Sequence, residues 1–341
     1  MGITIKEIAA KAGVHRSTVD KVLHNRPGVS DAVREKIQKI IDENNYQINP
    51  IGKALKMQER RLCIKVILLE VDARPYLQSG MEEALKDFGS FQVDTEYCAI
   101  AYPDVAGQAE LLERYIEEKA DGIILSPINS PEIVGRINEC AEQGIPVVTV
   151  NTDIKGSQRL CYIGQEAFKA GQVAGRLMGE FLGGRGKAAV FTSDGDDYQS
   201  FPFGTRESGF RRLMEEEYPQ VEILPSIYTQ ESESIIQREM RRLCEREPKL
   251  AGIFITCGGV KAVGSVLEAY RSRHVRLVCY EDYPDILRLM EKGIVTATLD
   301  SEIVTQGRQA MEVLMNYLIY DKKPPRKHLY SKINILLKES L

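Results

Sequence analysis

The sequence predicts two parts of different fold class, a small all-α unit at the N-terminus and an α/β body of two lobes built on parallel sheets. Three observations predict this division. Apolar residues recur at helical spacing in residues 3–56. From Cys63 onwards, apolar strands alternate with helices, which indicates a parallel sheet covered on both faces. This rhythm occurs twice, so we expect two similar lobes with a cleft between them.

The N-terminal unit is predicted to be a helix-turn-helix followed by a third helix. Thr4 and Glu7 have the spacing of a capping box, which marks the start of the first helix. Gly13 suits the tight turn that follows, and a second helix spans about 16–23. Ser30 caps the third helix. Two helices joined by a short glycine-containing turn are typical of DNA-binding units.

The outward face of the second helix indicates how DNA would be contacted. Arg16 and Ser17 lie at the N-terminal end, which normally meets base edges in the major groove, and Lys21 lies one turn further along. Thr18 and the residues just after the helix are better placed for phosphates. The pattern alone leaves a second interpretation open, in which the polar face of a small helical bundle is only solvated.

A resemblance favours DNA binding. It lies in the segment IKEIAAKAGVHRSTVDKVLHNRPGVSDAVREKI, which resembles the DNA-binding headpiece of the lactose-repressor (LacI) family of bacterial regulators. In that family the next segment is a hinge that folds on operator DNA, where a leucine from each subunit enters the central minor groove and kinks the duplex. Leu55 matches that leucine. The predicted DNA contacts are Thr4, Arg16, Ser17, Thr18, Lys21, His24, Asn25 and Leu55.

Three positions depart from the LacI pattern. His15 stands where a small capping residue is common, and Ile48 replaces a usual proline. Gly52 replaces a usual alanine, which weakens a helix by about 1 kcal/mol. We expect these departures to change which DNA sequence is read and how easily the hinge folds. They do not weaken the resemblance to the family.

Composition and charge indicate a globular protein with a basic N-terminal end. Of the 341 residues, 43% are hydrophobic and 28% are charged, and no apolar run is long enough for a transmembrane helix. Residues 1–60 hold 11 Lys and Arg against 7 Asp and Glu, a net charge of +4, whereas the whole chain carries −4. The rest therefore carries −8, so an end that is attracted to phosphate precedes an acidic body.

The cysteines predict a reduced, cytoplasmic protein. The seven cysteines form no CxxC pair, and most lie in apolar runs that suit buried thiols. The N-terminus lacks the basic region followed by an apolar stretch that marks a secretory signal. The four histidines are dispersed, so no metal site is expected, and no cofactor fingerprint is found.

The body resembles the periplasmic-binding-protein type 1 fold, closest to its ribose-binding branch. The segments that carry this resemblance include ADGIILSPINSPE, GIPVVTVNTDI, YIGQEAFKAGQVAGRLM and VCYEDYPDILRLMEKGIVTATLD. In that fold the chain crosses between the lobes three times, and we expect the crossings near 161–164, 281–300 and 322–330. Single strands are predicted at 221–228 and 330–337. The predicted domains are a headpiece at 1–48, a hinge at 49–62, and an effector-binding and dimerisation domain at 63–341, with lobe 1 at about 63–162 and 301–322 and lobe 2 at about 163–300 and 323–341.

Candidate ligand contacts follow the strands, because ligands of open α/β sheets bind beyond the carboxyl ends of the strands. The resemblance assigns Asn151 to a position that bonds sugar hydroxyls and Arg206 to an arginine that reaches into the cleft. Amide, carboxylate and guanidinium groups supply the paired donors and acceptors that a polyol needs, and aromatic rings supply flat apolar faces. The predicted ligand contacts are Tyr76, Asn151, Asp153, Asp194, Phe203, Arg206, Glu281 and Asp300.

Two departures from the ribose-binding branch bear on the ligand. Glu281 stands where aspartate is usual and adds a methylene, and residues 257–259 read Cys-Gly-Gly where an Asn-Asp pair often occurs. The ligand is therefore expected to differ from ribose. Three aspartates at 194–197 disfavour a phosphorylated ligand. Arg206 and the acidic residues among the candidate ligand contacts also have a simpler interpretation, as ordinary turn and capping chemistry.

Together these features predict a sequence-specific DNA-binding regulator of transcription, and the resemblance implies a repressor. The expected partners are operator DNA, a small sugar or polyol, and a second copy of the chain, since operator symmetry mirrors dimer symmetry. Whether the ligand induces or co-represses is left open. The alternatives are an α/β enzyme with a helical regulatory appendage and a sugar-binding protein that does not bind DNA. The enzyme would need a nucleophile–base pair or a cofactor fingerprint, and the sequence contains neither.

Overall fold

The structure is a computed structural model that describes residues 3–23, 28–44, 54–55, 57–193 and 202–341. The chain divides into two compact units, residues 1–54 and residues 55–341. The first unit holds short helices and the second is an α/β body with two sheets. The predicted fold class is therefore confirmed.

The N-terminal unit contains the described helices α1 (Ile5–Ala12), α2 (Arg16–Leu23) and α3 (Asp31–Glu43). Their apolar faces pack into one small core, in which Ile8, Val19 and Ile37 are fully buried. α1 ends at Gly13, whose φ of 71° is a left-handed conformation that glycine adopts without strain. The turn at Gly13 folds α2 back against α1.

The body alternates strands and helices along the chain. Its described strands are β1 (Arg61–Leu69), β2 (Gln92–Ile100), β3 (Gly122–Leu125), β4 (Val147–Val150), β5 (Cys161–Gly164), β6 (Gly186–Thr192), β7 (Val221–Ile223), β8 (Ile227–Tyr228), β9 (Leu250–Ile255), β10 (Arg276–Tyr280), β11 (Ala297–Asp300), β12 (His328–Tyr330) and β13 (Asn334–Leu336). Its described α-helices are α4 (Arg74–Asp87), α5 (Val105–Glu117), α6 (Pro131–Glu142), α7 (Ala167–Leu182), α8 (Phe203–Glu217), α9 (Glu233–Arg246), α10 (Val260–Ala269), α11 (Pro284–Glu291) and α12 (Ile303–Tyr320).

Two sheets define the two lobes of the body. The sheet of lobe 1 has the order β12-β5-β4-β3-β1-β2, and all its pairings are parallel. The sheet of lobe 2 has the order β13-β11-β10-β9-β6-β7, with β8 also paired to β6, and only the edge strand β13 is antiparallel. Strands β3, β4 and β5 are buried along their whole length, as expected for a parallel sheet covered on both faces.

The chain crosses between the lobes at residues 165–166, 301–302 and 331–333, in each case just after the predicted range. Residues 161–164 are β5 of lobe 1, and residues 281–300 contain α11 and β11 of lobe 2. The assignment of residues 323–330 to lobe 2 was wrong, because β12 pairs in parallel with β5. The apolar pattern of β12 shows that it is a strand but does not show which sheet edge it joins.

Two predicted strands are each divided in the structure. The strand predicted at 330–337 is β12 and β13, which belong to different sheets because the third crossing runs between them. The strand predicted at 221–228 is β7 and β8, which are separated around Pro225. Proline has no N–H to donate to a neighbouring strand, so the pairing is interrupted there.

Closely packed helix pairs support both lobes. α12 lies against α4 in lobe 1, and α7 lies against α8 in lobe 2. A Cβ atom on Gly307 would lie 2.0 Å from the carbonyl oxygen of Leu77, and one on Gly80 would meet the α12 backbone at the same distance. A Cβ atom on Gly209 of α8 would lie 2.0 Å from the carbonyl oxygen of Phe168. These helices touch through their backbones, which only glycine permits.

Candidate functional site

The exposed face of α2 carries the residues predicted to meet bases. Arg16, Ser17 and Lys21 are exposed, whereas Val19 and Val22 are buried on the opposite side of the helix. α2 therefore combines an apolar face that packs in the N-terminal unit with a polar face that holds a guanidinium and an ammonium group. That arrangement suits an anionic partner, and contact with bases stays a prediction.

His15 provides the cap of α2. Its Nδ1 accepts a hydrogen bond from the Ser17 N–H at 3.3 Å and lies 2.8 Å from Ser17 Oγ. The half-buried Thr18 donates its N–H to the His15 carbonyl oxygen at 2.9 Å. His15 departs from the LacI pattern but still caps α2, since its ring nitrogen replaces the small side-chain oxygen that is common there. It also ties the side chain of Ser17 to the cap.

Thr4, a predicted DNA contact, forms a capping box at the start of α1. Its Oγ1 accepts a hydrogen bond from the Glu7 N–H at 3.3 Å, and the Glu7 carboxylate accepts from the Thr4 N–H at 2.7 Å. The hydrogen bonds from the Thr4 backbone and hydroxyl lower the pKa of Glu7. The capping role accounts for Thr4 by itself, and its contact with DNA stays a prediction.

Replacing Thr4 with alanine is expected to destabilise α1 by about 1 kcal/mol, because the helix loses its N-cap. Amide hydrogen exchange of the full chain measures this as faster exchange over residues 5–12. Thr4→Ser is the matched control, since it keeps the hydroxyl group and should leave exchange unchanged. Unaltered exchange in Thr4→Ala would contradict the capping role.

The remaining predicted DNA contacts lie at or beyond the ends of the described segments. His24 and Asn25 are outside the described residues, as are residues 49–53 and 56 of the predicted hinge. Leu55 is described in a helical conformation, with 60% of its surface exposed. An exposed leucine of this kind is available to wedge into a base step, and that role stays a prediction.

Arg206 is buried where the two lobes meet. It projects from α8 and donates hydrogen bonds from Nη1 to the Thr256 carbonyl oxygen at 3.0 Å and from Nη2 to Gln165 Oε1, in the first crossing, at 3.4 Å. Its guanidinium carbon lies 3.7 Å from the centroid of the Tyr280 ring, within the range of a cation–π interaction. The Nε of Arg206, the Nε2 of Gln165 and the hydroxyl of Tyr280 are buried without a hydrogen-bond partner in the described part of the chain. Orphaned polar atoms of this kind are rare and mark a place where a polar ligand could bind.

Glu281 holds the second crossing. Its carboxylate accepts hydrogen bonds from Ser301 Oγ at 2.8 Å and from the Ser301 N–H at 3.2 Å, and it lies 3.7 Å from Arg206 Nη2. Gln306 of α12 donates to the Ser301 carbonyl oxygen at 2.7 Å. Burial raises the pKa of Glu281 to about 7, and Arg206 opposes this rise. These contacts connect lobe 2 to lobe 1 through the crossing at 301–302.

Asn151 follows β4 in lobe 1 and has a φ of 64°, a left-handed conformation that asparagine tolerates better than most residues. Its N–H donates to the Ile163 carbonyl oxygen at 2.9 Å, and its own carbonyl oxygen accepts from the Tyr162 hydroxyl at 3.3 Å. The side-chain amide is half-buried and makes no hydrogen bond within the described residues. The backbone is thus fixed while the amide stays available to a ligand.

Asp153 is engaged in an ion pair within lobe 1. Arg159 donates to it from both Nε, at 2.5 Å, and Nη2, and Thr149 Oγ1 donates at 2.9 Å. The Asp153 and Arg159 side chains are only 10% and 7% exposed. A ligand contact at Asp153 would have to compete with this pair, so the structure gives Asp153 a supporting position.

An aromatic pair joins the two lobes. Tyr76 of α4, in lobe 1, stacks on Tyr283, just before α11 in lobe 2, with ring centroids 4.9 Å apart and planes 18° from parallel. Stacked pairs contribute about 0.5–1.5 kcal/mol beyond the area they bury. Sequence reasoning selected Tyr76 for a flat apolar face, and its partner is found only in the folded chain.

The other predicted ligand contacts have different surroundings. Phe203 begins α8 and packs against the core of lobe 2. Asp300 ends β11, and its carboxylate accepts from the Glu302 N–H at 2.8 Å and from Asn334 Nδ2 at 3.0 Å, so it supports the second and third crossings. Asp194 lies outside the described residues.

Sequence reasoning missed several residues that surround Arg206. Gln165 directly follows β5, Tyr280 ends β10, and Ser301 directly follows β11. The rule that ligands bind beyond strand ends points to all three positions, so this signal could have identified them. Tyr283 carries no such signal, since its importance arises from contact with the other lobe.

Across the described residues, no group of three or more His, Cys, Asp or Glu is placed to hold a metal ion. No helix in that part of the chain has both the length and the apolarity to cross a bilayer. The seven cysteines are free, and burial raises the pKa of the Cys140 thiol to about 12.

The chain matches two protein families. Residues 71–323 match the periplasmic binding protein domain, and residues 4–49 match the bacterial regulatory proteins of the lacI family. Catabolite control protein A of Staphylococcus epidermidis is 27% identical over 156 residues, which are 46% of each chain. The HTH-type transcriptional repressor PurR of Erwinia tasmaniensis is 24% identical over 272 residues, 78% of this chain and 75% of that protein. The match with the first of these relatives spans about half of its length.

Solved sugar-binding proteins share the fold of the body. The sugar-binding protein of a sugar ABC transporter from Bacillus halodurans has a TM-score of 0.72 at 25% identity, covering 81% of this chain and 98% of that chain. An ABC transporter solute-binding protein from Burkholderia graminis, in complex with D-arabinose, has a TM-score of 0.76 at 21% identity, covering 82% and 96%. The second likeness shows the fold alone.

Proposed function

Because the chain belongs to the periplasmic binding protein domain family and its residues 4–49 match the lacI family of bacterial regulatory proteins, we propose that it is a sequence-specific DNA-binding regulator of transcription. A small sugar or polyol held between the lobes controls its affinity for operator DNA. The observation that supports this best is the presence, on one chain, of an exposed basic α2 and of two lobes that meet at buried Arg206. The proposed site of action is the cytoplasm, where the DNA lies.

The proposal requires two copies of the chain. A dimer presents two α2 helices to a pseudo-palindromic operator, because the symmetry of the half-sites mirrors that of the protein. The ligand acts by changing the arrangement of the lobes, and it can shift DNA affinity only by its differential affinity for the two arrangements. We propose repression as the action on the regulated genes, and no enzymatic activity.

The test of this function is a mobility-shift assay with the DNA upstream of the gene that encodes the chain. Sequence-selective retardation is expected, and it should change when the effector is added. The salt concentration must be stated, because binding through phosphates falls steeply with salt. Equal retardation of unrelated DNA, with or without candidate sugars, would count against the proposal.

A thermal-shift screen identifies the effector independently of DNA. Monosaccharides, polyols and sugar phosphates are compared, since a ligand that binds only the folded state raises the apparent stability. Neutral sugars or polyols are expected to raise the melting temperature, and sugar phosphates are not. A response to sugar phosphates alone would refute the proposed ligand class.

Replacing Arg16 with alanine is expected to relax base preference at one operator position by about 1–3 kcal/mol, since a bidentate base contact is lost. Binding to operators with each base substituted in turn measures this. Lys39→Ala is the matched control, because Lys39 is an exposed cation of the same unit on α3 rather than α2. If Arg16→Ala weakens binding equally for all sequences, Arg16 contacts only phosphate.

A further inference from the structure

A chain of buried polar contacts runs through two of the three crossings. Gln165 in the first crossing accepts from Arg206, which lies beside Glu281, and Glu281 binds Ser301 in the second crossing. Gln306, in α12 of lobe 1, also donates to Ser301 Oγ, at 3.1 Å. The relative position of the lobes is thus linked to the contacts of a single buried carboxyl group.

The carboxylate oxygens of Glu281 are occupied by the protein itself. Oε2 accepts from the Ser301 N–H at 3.2 Å and from Ser301 Oγ at 2.8 Å, and Oε1 lies 3.0 Å from the same hydroxyl and 3.7 Å from Arg206 Nη2. The backbone of Glu281 has a φ of 72°, a left-handed conformation that a non-glycine residue keeps only where its surroundings enforce it. These contacts fix the Glu281 carboxyl group against the second crossing.

The charges around Glu281 offset only part of the free-energy cost of burying its carboxylate. Arg206 is the cation that acts on it within the described residues, and Arg206 already donates to Thr256 and Gln165. The Asp300 carboxylate opposes ionisation of Glu281. Among the described residues, Cys279, Tyr280 and Tyr283 of its own segment also interact electrostatically with Glu281.

We propose that Glu281 is a positioning residue that couples closure of the lobes to the uptake of one proton. Closed lobes bury its carboxyl group against Ser301 and Arg206, and open lobes return it to water. Ser301 and Arg206 are the groups through which Glu281 acts on the lobes. The inference rests on the proposed function only in taking the interlobe cleft as the ligand site, because the coupling itself needs neither ligand nor DNA.

The direction of the coupling follows from the two environments. Burial raises the pKa of Glu281 from an ordinary value of 4.5 to about 7 in the closed lobes. The closed state therefore binds the proton more tightly, so closure is favoured below pH 7 and is weakened as the pH rises through 7. A carboxyl group that moves between these two pKa values changes the ratio of closed to open molecules about tenfold between pH 8 and pH 6.

A tryptophan introduced at Tyr76 reports on closure. The chain contains no tryptophan, so Tyr76→Trp supplies a single indole that lies against Tyr283 of the other lobe when the lobes are closed. The ligand-free full chain is titrated from mildly acidic to mildly alkaline pH. We expect emission to shift to longer wavelength with a midpoint near pH 7, as the indole enters water.

Two further variants identify the titrating group. The double variant Tyr76→Trp, Glu281→Gln has at position 281 a neutral side chain of the same shape as glutamate. Its emission should stay at short wavelength over the whole pH range. Tyr76→Trp combined with Asp282→Asn removes the exposed neighbouring carboxyl group and should keep the transition. Emission that does not change with pH in Tyr76→Trp overturns the coupling, and so does a transition that persists with Glu281→Gln. None of these samples contains DNA or sugar, so their outcome is independent of the tests of the regulator function.

Discussion

Replacing Gly307 with alanine is expected to destabilise the body by about 3 kcal/mol, the upper part of the usual range for overpacking. The added Cβ atom would lie 2.0 Å from the Leu77 carbonyl oxygen and 2.8 Å from the Leu77 carbonyl carbon. These are backbone atoms of α4, so no side chain can turn aside to make room. α12 also packs against β3, β4 and β5, and any shift that relieves the clash disturbs the centre of lobe 1.

Urea unfolding of the full chain measures this loss. Gly135→Ala is the matched control, because Gly135 lies inside α6 and a Cβ atom there has no neighbour within 4 Å. That change should stabilise the chain by about 0.5–1 kcal/mol, since alanine favours a helix more than glycine does. An unfolding midpoint for Gly307→Ala equal to that of the unaltered chain would show that the two helices lie further apart than described.

Replacing Arg206 with alanine is expected to abolish the ligand response and to lower the free energy of unfolding by about 3 kcal/mol at pH 8, as for other buried ion pairs that lose one partner. The loss arises because the closed lobes, as in the structure, bury the Glu281 carboxylate without its cation. Below pH 7 the loss should be smaller. Burial raises the pKa of Glu281 to about 7 although Arg206 opposes the rise, so without Arg206 the pKa is higher still. Below pH 7 the carboxyl group is therefore largely protonated in both chains, and little uncompensated charge remains to lower the stability of the variant.

Urea unfolding at pH 6 and pH 8, together with a ligand titration, measures both effects. Glu281→Gln in the Arg206→Ala background should recover stability at pH 8, since no buried charge remains. Arg288→Ala is the surface control: its side chain is 67% exposed, so its pair with Asp285 is expected to contribute about 0–1 kcal/mol. Equal losses at both pH values would show that Glu281 is not the source, and a normal ligand titration of Arg206→Ala would show that the ligand binds elsewhere.

The sequence was most informative where structure depends on nearby residues. α2 has the bounds that the apolar spacing predicts, and the capping box of Thr4 and Glu7 is present. The alternation of strands and helices was also predictable, because strand and helix periods are properties of short segments. Errors appeared where one apolar run holds two strands, as in 330–337, since the pattern does not reveal that the chain changes sheet.

The candidate site was predictable in part. Arg206 is buried beside the first crossing and Asn151 keeps an available amide at a strand end, while contact of either residue with a ligand stays a prediction. Asp153 follows the same strand as Asn151 and was also a predicted ligand contact, yet Arg159 donates hydrogen bonds to its carboxylate. The pairing of two side chains that are both polar and both near a strand end depends on distances that spacing along the chain does not contain.

The sequence by itself determined the two fold classes, the basic helix-turn-helix and the repeated α/β rhythm, because hydrophobic period, capping residues and glycine turns act over a few residues. Only the tertiary structure decided that β12 belongs to lobe 1, that Tyr76 stacks on Tyr283, and that Glu281 binds Ser301 rather than standing free. Each of these is a contact between residues distant along the chain. Burial and charge at such contacts are set by the whole fold, and with them the pKa of Glu281.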